Sequence, residues 1–131
     1  MASKYLLKAN IFRAIAGFAL LAGVVTENTW AHHGWAGNGE QQFELTGKVV
    51  KPVSLSGPHA NLQISAQGQL WDITLAPPAR TERAGLVETS IPVGAEVTVS
   101  GHRSSDPKRF EIKTERVTYQ GKVVNVYPDR E

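Results

Sequence analysis

The stretch "HANLQISAQGQLWDITL", His59 to Leu75, decides the fold. Ala60, Leu62 and Ile64 share one parity, and His59, Asn61 and Gln63 share the other, which is the period-two pattern of a half-buried strand. Ala66-Gln67-Gly68-Gln69 is a hairpin turn signal. After it, "LWDITL" resumes the alternation with Trp71, Ile73 and Leu75 on the apolar side. The spacing predicts two antiparallel strands sharing one buried face.

The same period extends in both directions. Upstream, "FELTGKVVKPVSL" (Phe43 to Leu55) sets Leu45, Gly47 and Val49 on one parity until Pro52 and the Ser54-Ser56-Gly57-Pro58 group break it. Downstream, "EVTVSGHR" alternates Val97 and Val99 against an outward set that includes Ser100 and His102. "RFEIKTERVTYQ" begins with Phe110 and Ile112 and ends with Val117 and Tyr119 on the opposite parity, so a bulge or break is expected near Glu115. Between the third and fourth strands, Pro77 and Pro78 suit a first helical turn, and "ARTERAGLV" makes about two turns with Gly85 inside them. These elements predict an all-β domain with one short helix, a small five-stranded Greek-key barrel of the OB type. A small open β-sandwich is the alternative. The core is expected at Leu45, Val49, Leu62, Ile64, Trp71, Ile73, Val97, Val99 and Ile112.

Ahead of the barrel, residues 1–31 read as a secretory signal peptide. Lys4, Lys8 and Arg13 form a basic region, and "AIAGFALLAGVV" (Ala14 to Val25) is too short to span a bilayer, which takes about 20 apolar residues. Thr29 and Ala31 occupy the small-residue positions of a cleavage site, so cleavage is expected after Ala31, with export to the periplasm. An uncleaved amphipathic anchor is the other reading. Residues 32–41 are then a flexible N-terminal segment, with Gly34 to Gln42 leading into the first strand, and residues 42–131 are the barrel.

Cleavage changes the charge. The whole chain has 14 basic and 12 acidic residues; without Lys4, Lys8, Arg13 and Glu27, 11 of each remain. The basic character belongs to the leader, which argues against a nucleic-acid partner, and no membrane contact is expected after cleavage. There is no cysteine, so disulfides, thiolate metal sites and cysteine nucleophiles are excluded.

Four histidines remain: His32, His33, His59 and His102. A chain starting at His32 offers its α-amine and ring Nδ1 as a chelate, and one further imidazole completes a three-nitrogen site of the histidine-brace kind. A chain starting at Ala31 has histidine in third place, which binds Cu(II) or Ni(II) in a square plane. Nitrogen ligands in tetragonal geometry favour copper in both registers. A solvated terminus that binds metal only incidentally is the plain alternative. His59 follows Pro58 at the start of the second strand, and His102 lies at the end of the fourth, where strand order brings it near the start of strand one. No enzyme signature stands out. Ser54, Ser56, Ser104 and Ser105 lie in turns without the strand–elbow–helix context of a nucleophile.

The chain resembles a family of small uncharacterised exported proteins of Gram-negative bacteria. The resemblance rests on His32-His33-Gly34-Trp35, "LTGKV" (Leu45 to Val49), Pro58-His59-Ala60, "RTERAGL" and "VGAEVTVSGHRSSD". It departs at Ser56-Gly57, where the family has Asn or Thr-Asn, and at Asn61, where it has an aromatic. His102 matches no family histidine. The resemblance implies an OB-like periplasmic domain, implies no activity, and groups the N-terminal histidines with His59. The expected function is a periplasmic binding protein holding a transition metal, copper favoured, through His32, His33 and His59, with His102 as an additional candidate. The alternative is a metal-free interaction or small-ligand module using Asn61, Gln63 and the Arg103 turn.

Overall fold

The computed structural model describes residues 35–130. The expected leader and cleavage site, with His32 and His33, lie outside the described residues. Among the described residues there are six strands and one helix: β1 (Phe43–Ser54), β2 (Asn61–Ala66), β3 (Gln69–Thr74), α1 (Pro78–Ala84), β4 (Glu96–Arg103), β5 (Glu111–Tyr119) and β6 (Lys122–Asn125).

The strand order is β3-β2-β1-β4-β5-β6, and β3 also pairs with β5. That pairing is parallel, from Asp72↔Glu111 to Thr74↔Lys113, and it closes the first five strands into a mixed barrel of OB topology. β6 is an extra strand on the outside of the ring, paired with β5 through Val117↔Val124. The strand β1 is long because it serves two neighbours. Phe43 to Lys48 pairs with β4, and Lys48 to Ser54 pairs with β2 across two register shifts that bend it.

The hairpin that decides the fold forms as expected, with Ala66 opposite Gln69 and the turn residues Gln67 and Gly68 both at positive φ. All nine expected core residues are buried. The inward parity puts apolar side chains on a surface that the curl of the sheet removes from water, which is the main favourable term. α1 is shorter than the sequence suggests. Gly85 ends it as a left-handed cap at φ 106°, a conformation that glycine adopts without strain. Leu86 and Ile91 beyond it are buried in the core.

The parity shift in the last long strand is a bulge. Ser100 pairs with Arg116 and Gly101 with Thr114, leaving Glu115 as the extra residue, with its side chain on the face that carries His102. Gly101 opposite permits the close crossing. A Cβ there would collide with the Lys113 carbonyl.

Candidate functional site

From Trp35 onward the N-terminal segment is tied to the barrel, although the sequence reads as a flexible linker. Gly39 N donates to Arg103 O at 2.8 Å, and Ser105 N donates to Gly37 O at 2.8 Å. Asn38 bridges to Ser104 and donates its side-chain amide to His102 O. Trp35 is the anchor of this arm. The Arg130 guanidinium lies 4.1 Å from its ring centroid and the Lys113 ammonium 5.0 Å. Tyr127 and His102 meet it edge-on at 5.2 and 5.5 Å.

Beneath the arm sits the bulged Glu115, only 3% exposed. Its Oε1 lies 3.0 Å from His102 Nε2 and accepts from Arg130 Nε at 3.3 Å. Its Oε2 accepts from Gln42 Nε2 at 3.1 Å. A buried carboxylate is tolerated only when paired and hydrogen-bonded in this way. Sequence reasoning flagged the bulge but read no role for the carboxylate, because its partners lie 13 to 73 residues away in sequence.

The same network accounts for His102. Its Nδ1 lies 2.8 Å from Gly39 O, a carbonyl that only accepts, so Nδ1 carries the hydrogen there. Its Nε2 faces Glu115. Both ring nitrogens are therefore engaged by the protein, and His102 is a brace for the arm. The strand-order argument correctly brought it to the N-terminal segment.

His59 occupies a different place. It is half-buried and lines a polar cleft of about 270 Å³ together with Ala36, Gly37 and Asn38 of the arm. Thr74 and Lys113, paired across the β3–β5 seam that closes the barrel, line it too, as do Ser104, Arg109 and Glu111. Burial, with the Lys113 charge adding, pushes the His59 imidazole below its ordinary value. Burial also pushes the Lys113 ammonium down; Glu111 opposes that shift and Arg130 adds to it. The neutral imidazole that results is the form that ligates metal.

Other concavities offer less chemistry. An open depression of about 540 Å³ beside the β4–β5 hairpin contains no histidine and no cation. A recess of about 190 Å³ near Leu86, Ile91 and Val117 mixes apolar side chains with Ser90, Tyr119 and Lys122 and contains no histidine. Among the described residues, no group of three or more His, Cys, Asp or Glu side chains is placed to hold a metal ion. The side chains of the alternative interaction face are largely used within the domain. Gln63 donates to Asp72 at 3.0 Å, Asn61 makes a long contact to His59 O, and the Arg103 guanidinium lies over Phe43, Trp71 and Phe110.

Fold and site together describe a small closed β-barrel with a pinned N-terminal arm forming one wall of a polar cleft. The chain belongs to a family of unknown function, DUF6152, whose model matches residues 20–115. That match takes in the arm, the cleft histidine and the five barrel strands as far as Glu115. No curated protein matches the chain.

Proposed function

We propose that this is an exported, periplasmic binding protein that holds a transition metal, Cu(II) in preference, through His32, His33 and His59. The observation that carries this reading is the position of the pinned arm. Ala36 to Asn38 line the same cleft as His59, and the Trp35 ring rests on Lys113, which also lines the cleft. Consecutive Cα atoms are about 3.8 Å apart, so two peptide units keep His33 within about 8 Å of Trp35. The length of the chain alone therefore limits how far His32 and His33 can lie from Trp35. One end of the site is anchored at the barrel's seam, which raises the effective concentration of the terminal ligands at His59. The α-amine and two or three imidazoles supply nitrogen donors without sulfur, a set suited to copper.

The test starts with mass spectrometry of the exported, untagged protein for its N-terminus and bound metal, expected to show cleavage after Ala31 and a copper adduct. Copper titrations then compare this protein with a variant extended before His32 and with His59→Ala. Blocking the α-amine should weaken binding strongly and His59→Ala more modestly, with the barrel still folded. Equal affinity in all three, no tighter than a free His-His peptide, would remove the metal reading.

A further inference from the structure

Asn38-Gly39 fastens the arm to β4, and the same dipeptide is prone to cyclise on itself. A deprotonated Gly39 nitrogen can attack the Asn38 Cγ carbonyl, and glycine, with no Cβ, puts nothing in the way of ring closure. Asn38 alone among the chain's five asparagines precedes a glycine; the others precede Ile11, Thr29, Leu62 and Val126. In the closed arm both partners of that reaction are held. Gly39 N donates to Arg103 O at 2.8 Å, so its hydrogen is shielded from base. The leaving nitrogen, Asn38 Nδ2, donates to His102 O at 2.9 Å. A turn just upstream fixes the pair in this position. Asn38 N donates to Trp35 O at 3.1 Å, and Gly37 takes φ 87° as the third residue of a type II turn. Trp35, which opens that turn, carries the ring gripped by Arg130, Lys113, Tyr127 and His102.

We propose that Asn38-Gly39 is a self-modification site gated by the arm, stable while the arm is closed and converted once it opens. In the open arm, base removes the Gly39 N–H and the nitrogen bonds to Asn38 Cγ. The Cγ–Nδ2 bond breaks, and Nδ2 takes a proton from water and leaves as ammonia. Water then opens the succinimide at Cγ, giving Asp at position 38, or at the main-chain carbonyl carbon of residue 38, giving isoaspartate. Water is the only co-reactant, and nothing is oxidised or reduced. Neither product restores the fastening. The aspartate lacks the amide that donates to His102 O and sets a carboxylate against that carbonyl. The isoaspartate adds a methylene to the main chain at residue 38, so Gly37 O and Gly39 N lose their common register with Ser105 N and Arg103 O. The site is thereby a one-way timer on release of the N-terminal segment. Hydrogen exchange at Gly39 begins with the same deprotonation, so both reactions proceed through the same local opening.

The experiment compares the untagged, metal-free exported protein with a synthetic peptide of residues 35–42, both incubated at mildly alkaline pH. Mass spectrometry of digests follows conversion of Asn38, and native-state hydrogen exchange follows the Gly39 amide. The peptide should convert at least about tenfold faster than the protein, by the factor that protects the Gly39 amide. Trp35→Ala should speed conversion in the protein at least about tenfold, in proportion to the Gly39 protection it loses. Asn61, followed by Leu62, should stay unconverted in every sample. Asn38→Asp should lower Gly39 protection at least about tenfold while the barrel amides keep theirs. Conversion in the folded protein as fast as in the peptide would overturn the gating, and so would a Trp35→Ala protein that converts no faster than the unmutated one. Unchanged Gly39 protection in Asn38→Asp would overturn the one-way step. Should Trp35→Ala fail to fold, Arg130→Gln, which removes a cation from the same ring, makes the same comparison. No copper is present in any sample, so this test and the metal titrations fail independently.

Discussion

Replacing Trp35 by Ala should detach the arm from the barrel without unfolding the domain. The indole makes two cation–π contacts, at 4.1 and 5.0 Å, each worth about 0.5–1 kcal/mol when exposed and about 2 when desolvated. Its two edge-on ring contacts, at 5.2 and 5.5 Å, add about 0.5–1.5 kcal/mol each. The hydrogen bonds of Gly37, Asn38 and Gly39 remain in the variant, at about 1 kcal/mol each, and they barely offset the backbone entropy of ordering the segment, about 1–2 kcal/mol per residue. With the cation–π contacts at the exposed figure, truncation should therefore cost the closed arm about 2–5 kcal/mol. At 1.36 kcal/mol per tenfold, that is roughly a 30- to 5,000-fold loss of protection. Native-state hydrogen exchange at the Gly39 amide, bonded to Arg103 O, measures it against amides of the buried β1–β4 ladder, which open only with the barrel. The copper affinity of the variant should fall toward that of a free peptide with the same N-terminus. Unchanged protection at Gly39, or an equal drop in the β1–β4 ladder, would refute a local clamp.

Three further outcomes are expected. Leu62→Ala, at a side chain 2% exposed, should cost about 2–5 kcal/mol in chemical denaturation, and a loss under half a kcal/mol would contradict the parity of β2. Glu115→Ala strips His102, Arg130 and Gln42 of a shared acceptor and should cost about 3–5 kcal/mol; a cost near that of an exposed ion pair would show the network to be dispensable. His59, whose folded-state pKa is lowered, binds fewer protons in the folded than in the unfolded chain. It therefore removes stability as pH falls through its ordinary value near 6.5, with the full loss reached below the folded value. The fall in Tm between about pH 7.5 and pH 5 should be smaller in His59→Gln, and an identical fall in both proteins would exclude His59 as its source.

The barrel was legible because its inward parity is continuous. Leu62 to Ile64 and Trp71 to Ile73 announce the hairpin, and the Val97–Val99 and Ile112 positions complete the ring. Even the bulge showed, as a change of parity between Ile112 and Val117. β6 escaped because four residues with exposed Val123 and buried Val124 are too short for a period to register. The end of α1 comes earlier than the sequence suggests, since a glycine at φ 106° looks in sequence like a weak interior residue. The site was only partly legible. His59 could be singled out by type, and His102 could be brought near the arm by strand order. The clamp could not be read, because Trp35, Lys113, Tyr127 and Arg130 come from distant parts of the chain. The parallel β3–β5 closure, which places Thr74 beside Lys113, is a tertiary event with no local signature.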